Sequence, residues 1–320
     1  MRTENISISS IDLQDTYYKY GSDIIPQGLN ESIERFAILN PVKLIRENDR
    51  YRVICGWKRL YIISNFPDRD LVPSCVYNSG ELSIPDCILI AFYDNFHRIN
   101  ELDKALLIKM LSEKGGISHE MILKEYLPVF GIPASYKNLE KFIALSKLED
   151  VIKRSFYENI YSIDHLFLFS EIEKEHERHA IFDLVFKQYR YNINETREVV
   201  RNIREIASRE NINIDDLVEE IANDKTGNIG KHEFRRILKK RRYPKISSIE
   251  NDFSELIKQM DMDNSITLKH HPTFESNELE FRIRFDDTEQ LSSSLNSIAK
   301  EVDRGKIQRI INFVREGHGT

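Results

Sequence analysis

Two short segments carry residue types from which an anion site could be built. Gly56-Trp57-Lys58-Arg59 follows directly on the strand-like run Tyr51-Arg52-Val53-Ile54-Cys55 and opens the helix-like run Leu60-Tyr61-Ile62-Ile63. A chain that turns through glycine from strand into helix aims its first unbonded N–H groups outward, and two cations stand among them here. Cations in that place oppose the helix dipole by roughly 0.3–1 kcal/mol, so a phosphate supplies a reason for them. Some forty residues later, Asp94-Asn95-Phe96-His97-Arg98 bunches a carboxylate, an amide and another cation just before a new helix. A magnesium ion takes one or two carboxylates together with phosphate oxygens, which makes Asp94 the candidate metal ligand. Gly56, Trp57, Lys58, Arg59, Asp94, Asn95 and Arg98 are thus the candidate nucleotide site. No histidine or carboxylate separates itself from its structural alternatives as a general base, so no catalytic residue is assigned.

Residues 1–99, which must position these groups, alternate strand-like and helix-like runs and predict a small α+β unit. Ile6 to Leu13 has the two-residue alternation of a half-buried strand, Leu29 to Phe36 a helix, and Val42 to Ile45, Tyr51 to Cys55 and Val72 to Tyr77 further strands. Ser83-Ile84-Pro85-Asp86 reads as a capped helix start.

Residues 100–245 are read as an all-helical domain. Asn100 caps a helix that Gly115-Gly116 stops, and Ser118 to Tyr126, a break around Gly131-Ile132-Pro133, and Ser135 to Leu145 form a helix-turn-helix. Ile132, Leu139, Phe142 and Ile143 are its expected core. That leaves Ser135, Tyr136, Lys137, Asn138 and Lys141 on the outer face, where hydroxyls and amide suit base edges and lysines suit phosphates. Further helices are expected at 148–159, 162–171, 176–189, 194–209 and 214–222. Lys231, Arg235, Arg236, Lys239, Lys240, Arg241, Arg242 and Lys245 crowd one stretch with only Glu233 opposing them, and DNA phosphate is the counterion this run suggests.

Residues 246–320 predict a small α+β unit. It has a helix at 250–260, strands at 265–269 and 279–285 joined through 270–277, and an amphipathic helix carrying Leu291, Leu295, Ile298 and Val302. So thin a core is expected to be completed by a second copy or by docking on its own chain.

Composition bounds these readings. With 41% hydrophobic and 31% charged residues the chain is folded rather than disordered, and no apolar run reaches membrane-spanning length. The start lacks a signal-peptide core, which predicts a cytoplasmic protein without a membrane partner. The net charge of -6 disfavours nucleic acid as a whole-surface partner, so any DNA contact must be local. Cys55, Cys75 and Cys87 show no ligand or redox spacing and read as buried reduced thiols. His176, His179, His270 and His271 read as surface residues rather than metal ligands.

The order of these segments resembles the ParB family of DNA-partition proteins over most of the chain. Glu31 to Val42 looks like that family's first nucleotide-site segment, Gly56-Trp57-Lys58-Arg59 is similar to its Gly-Glu-Arg-Arg phosphate motif, and Asp94-Asn95-Phe96-His97-Arg98 to its Glu-Asn-x-x-Arg motif. The Gly131 region is similar to its helix-turn-helix. The resemblance implies a multidomain α+β chain: a ParB/sulfiredoxin-like N-terminal domain binding CTP and magnesium, a helix-turn-helix domain binding a palindromic double-stranded DNA site, and a C-terminal dimerisation domain. It further implies a homodimer on the nucleoid that serves chromosome or plasmid partition, closes as a clamp on DNA when nucleotide binds, hydrolyses CTP weakly, and answers to a ParA-type ATPase. The basic N-terminal peptide that serves that ATPase is not evident before Ile6.

Departures from the pattern shift these expectations. Trp57 stands for the glutamate, Lys58 for the first arginine, Asp94 for the second motif's glutamate and Ala37 where glycine is common. Lysine keeps the charge without the bidentate fork, so binding is favoured over hydrolysis. An alternative is a ParB-like transcriptional regulator with a decayed nucleotide pocket. Sulfiredoxin-like redox chemistry is disfavoured, since its cysteine position holds Trp57, and a two-metal nuclease lacks convergent carboxylates.

Overall fold

The computed structural model describes residues 2–222, 229–271 and 276–316. The chain forms two compact units, 1–182 and 183–320.

Unit one begins with a five-stranded mixed sheet. Its strands are β1 (Arg2–Ser7), β2 (Ile11–Asp12), β3 (Val42–Glu47), β4 (Arg50–Cys55) and β5 (Leu71–Asn78), in the order β1-β5-β3-β4-β2. The continuous strand expected over Ile6 to Leu13 is broken by a 3-10 turn at Ile8–Ser10, where Ser10 Oγ donates to the Ser7 carbonyl at 2.7 Å. The break has a large consequence, because β1 and β2 lie on opposite edges of the sheet. Four Cα steps span at most about 14 Å, whereas the edges of a flat five-stranded sheet lie about 19 Å apart. The sheet must therefore curl to let so short a link join its edges.

Val42, Leu44, Val53 and Val72 are fully buried in this sheet, and Ile33, Leu60 and Ile63 cover it from α1 (Leu29–Phe36) and α2 (Trp57–Ile63). α3 (Ile84–Asp94) starts at a complete capping box between Ser83 and Asp86. α4 (Glu101–Glu113) starts at another, between Asn100 and Asp103. Leu102, Ala105, Leu107, Ile108 and Leu111 of α4 have no exposed surface, so this helix is packed around most of its circumference.

The first helix of the expected pair is a run of α5 (His119–Met121), a π-helical stretch Ile122–Tyr126 and α6 (Leu127–Val129). Pro128 within it has no N–H to donate to the preceding turn, and the widened stretch lies just before it. Gly131 turns the chain at φ 71°, and α7 (Tyr136–Ser146) follows. α8 (Asp150–Tyr157), α9 (Ile163–Ser170) and α10 (Glu175–Phe182) complete the unit.

Unit two opens with a π-helical stretch Asp183–Tyr189, then α11 (Ile193–Glu210), α12 (Ile214–Ala222), α13 (Lys231–Arg242) and α14 (Pro244–Lys258). Phe234 and Leu238 of α13 are fully buried, and Phe234 stacks on Tyr189 with centroids 5.1 Å apart. An antiparallel hairpin, β6 (Ile266–His270) with β7 (Leu279–Ile283), is followed by α15 (Thr288–Asp303) and α16 (Lys306–Glu316). Part of the linking segment 270–277 lies outside the described residues. α16 was not expected, yet its Ile307, Ile310 and Val314 join Phe253, Met260 and Leu268 in the core.

α15 follows the amphipathic reading only in part: Ile298 packs against the core and Leu291 is half-buried. Ser294 and Glu301 point inward, Glu301 fully buried beside Arg304 and Lys306, while Leu295 and Val302 are 52% and 53% exposed. Among the described residues no helix is long and apolar enough to cross a membrane.

Candidate nucleotide site

The β4–α2 turn is possible only because residue 56 is glycine. Its φ is 111°, and a Cβ there would lie 2.6 Å from Val42 Cγ1. α2 is only seven residues long and no side chain caps it, so whatever attracts an anion here must come chiefly from side chains.

Gly56, Trp57, Lys58, Arg59, Asp94, Asn95 and Arg98 all line one cavity of about 490 Å³. Its walls also include Tyr20 and Gly21 from the loop after β2, Ala37 to Asn40 from the turn after α1, and Asp103 of α4. Sequence motifs did not point to Tyr20, which no periodic run contains, or to Asp103, which reads as a helix cap.

The charges divide into committed and uncommitted groups. Asp94 is the hub of the committed set: Oδ2 accepts from Arg59 Nη2 at 2.9 Å and from the Cys55 thiol at 2.7 Å, and Oδ1 lies 3.5 Å from Lys43 Nζ. Burial alone would raise its pKa, but the thiol, Arg59 and Lys43 together hold it below the ordinary aspartate value. Burial, with Asp94 beside it, pushes the Cys55 thiol well up, so it is inert as a nucleophile. Arg59 is fixed further by the carbonyls of Asn40 at 2.5 Å and Pro41 at 3.4 Å.

The Asn95 amide donates to the Ala91 carbonyl at 2.9 Å and to the Tyr20 hydroxyl at 3.3 Å. Asp103 accepts from the Tyr157 hydroxyl at 2.7 Å and the Asn100 N–H at 3.3 Å, and burial raises its pKa. Lys58 is half-buried and Arg98 exposed, and neither has an ion-pair partner among the described residues. Burial lowers the Lys58 pKa, with Asp103 and Asp23 partly offsetting it. Trp57 Nε1 is buried without a hydrogen-bond partner.

In the helix-turn-helix, Ile132, Leu139 and Phe142 are buried as expected and Ile143 is half-buried. Ser135 caps α7 through the Asn138 N–H, and the Asn138 amide donates to the Pro133 carbonyl at 2.8 Å. These two residues therefore hold the turn, while Tyr136 and Lys137 stay exposed and Lys141 lies 3.6 Å over the Phe167 ring.

The basic run on α13 meets carboxylates that its own stretch of sequence does not contain. Lys231 and Arg235 pair with Glu195, Arg235 also with Glu198, Arg241 with Glu210 and Glu220, Arg242 with Glu205, and Lys239 with Glu250. Arg236 pairs with Glu233. Six of the eight cations in the run therefore have protein counterions, so the local charge count by itself does not call for phosphate. Lys240 is exposed without an ion pair among the described residues.

His179 does have acidic neighbours, Glu149 and Glu175, but Glu149 is taken by Arg178 at 2.6 Å. All three cysteines are free and buried.

No protein-family model matches the sequence, and no curated protein does. Among solved structures the chain is similar to the C-terminally truncated chromosome-partitioning protein ParB from Caulobacter crescentus complexed with CTP-gamma-S. The identity is 18%, over 55% of this chain and 95% of that one, with a TM-score of 0.26. It is also similar to the same truncated protein complexed to the centromeric parS site, at 18% identity over 62% and 98% of the two chains, with a TM-score of 0.36. Superpositions this loose carry no argument about family or function.

Proposed function

We propose that this chain is a ParB-like, sequence-specific DNA-binding protein of chromosome or plasmid partition whose N-terminal cavity binds CTP. The observation that carries the reading is the convergence of the 56–59 turn and the 94–98 corner on one cavity, with Lys58 and Arg98 left without carboxylate partners among the described residues. A polyphosphate supplies the charge these cations lack, and the apolar wall from Ile33 to Leu39 suits the flat face of a base.

DNA is met by α7 through the exposed Tyr136 and Lys137, and through Lys141 once it leaves the Phe167 ring, while Ser135 and Asn138 hold the helix start. On α13, Lys240 is the cation most ready for phosphate. Arg235, Arg236, Lys239, Arg241 and Arg242 reach it only by exchanging carboxylate partners. A second copy docks on the exposed Leu295 and Val302 stripe of α15. Occupancy of the cavity then closes the pair of chains on DNA.

Footprinting on host genomic DNA with CTP present and absent, alongside calorimetric titration of CTP, tests the reading. Short protected sites whose occupancy changes with CTP are expected. Protected sites without CTP binding at millimolar nucleotide leave the transcriptional regulator with a decayed pocket. Absence of any protected site removes the DNA function.

A further inference from the structure

We infer that this cavity holds its nucleotide without a divalent metal, the positive charge being supplied by Lys58, Arg59 and Arg98, with Lys43 occupying the far side of Asp94. The inference rests on the nucleotide reading above and departs from the magnesium that the resemblance implies.

Magnesium asks for near-octahedral oxygen ligands, with at least one carboxylate facing the phosphates. Among the described residues two carboxylates line the cavity, and the donor set does not fit that demand. Asp103 is closed by Tyr157 and by the Asn100 N–H of its own capping box. Asp94 has Arg59 and the Cys55 thiol on one oxygen and Lys43 on the other. The Lys43 ammonium also lies 3.4 Å from the Pro41 carbonyl and 3.6 Å from Cys75 Sγ, so two further groups fix it against Asp94. A dication on Asp94 would stand beside two fixed positive charges, one of which it would have to displace. Lys58 and Arg98, which line the cavity without an ion-pair partner among the described residues, supply the neutralisation that a metal would bring to a triphosphate.

Two consequences separate this arrangement from a magnesium site. Asp94 acts as a positioning residue for Arg59, and Lys43 takes the place beside Asp94 that an ion would otherwise fill. The chain's single tryptophan, Trp57, lines the cavity, so its emission reports occupancy directly.

The experiment titrates CTP into the full-length protein, by Trp57 emission and by calorimetry, once with excess EDTA and once with excess magnesium. The two dissociation constants should agree within about twofold, and a constant about tenfold or more tighter with magnesium overturns the inference while keeping the nucleotide reading. Absence of binding in both buffers overturns the nucleotide reading and the inference with it. Asp94→Asn should lose affinity to the same extent in both buffers, and a loss confined to magnesium overturns the positioning role. Lys43→Met, checked for native Trp57 emission, should become about tenfold tighter with magnesium than with EDTA, and equal constants overturn the part given to Lys43.

Discussion

Replacing Gly56 by alanine tests the turn on which the whole site depends. The added Cβ would meet Val42 Cγ1 at 2.6 Å and Val42 Cβ at 2.9 Å, and φ 111° is a conformation that side-chain-bearing residues rarely adopt. The backbone component costs roughly 1–2 kcal/mol. Forcing an atom into a packed wall adds about 1–3 kcal/mol. Together these make Gly56→Ala destabilising by about 2–5 kcal/mol. In a Val42→Ala background the nearer clashing atom is gone but the Cβ remains, so the cost of the same substitution falls by only about 1–2 kcal/mol. Urea unfolding followed by Trp57 emission reports on unit one, since no other tryptophan exists. A midpoint shift below about 1 kcal/mol, or identical costs in the two backgrounds, refutes the argument that glycine is sterically required.

The uncommitted cations give a second test. Lys58→Ala and Arg98→Ala should each weaken CTP binding about ten- to a hundredfold, the size of one charged hydrogen bond, with little change in the urea midpoint. Tyr157→Phe strips a donor from buried Asp103 and should cost about 1–3 kcal/mol at pH 7. Since burial raises the Asp103 pKa and the Tyr157 bond opposes that rise, the penalty should shrink as the pH falls and Asp103 takes up a proton. Urea midpoints at several pH values measure this. Acid sensitivity of unit two should have the opposite origin. Glu210 is held below its ordinary value of 4.5 chiefly by Arg241, and Glu195, despite burial, by the Asn192 N–H and Lys231. The unfolded chain therefore binds protons at higher pH than the folded one, so stability present above about pH 4.5 is lost as the pH falls further. Circular dichroism against pH, compared with Arg241→Met, should show the variant losing less on acidification.

Local signals in the sequence were read well because their causes are local. Leu29–Phe36 is helical over the expected residues, and Ser83 and Asn100 form the capping boxes that their spacing with Asp86 and Asp103 suggested. The alternation over Ile6 to Leu13 was real, but the Ser9-Ser10 pair breaks it, and no local pattern says that the two halves join opposite sheet edges. The Ile307, Ile310 and Val314 spacing of α16 is a helical signal legible in the sequence. What lay outside reach were partners far apart along the chain. Lys43 sits inside a strand with nothing beside it to suggest Asp94, and Tyr20 comes from a loop without periodicity. The carboxylates that meet α13 lie mostly on α11, thirty to forty residues earlier.

That pairing changes how salt would act on any complex with DNA. A free lysine that meets a phosphate releases a condensed counterion, and the slope of log affinity against log salt counts such events. A guanidinium that must first leave a glutamate trades one anion for another, and added salt loosens both sides of the trade. The slope would then undercount the cations at the interface, and substituting the glutamates of α11 by glutamine would steepen it.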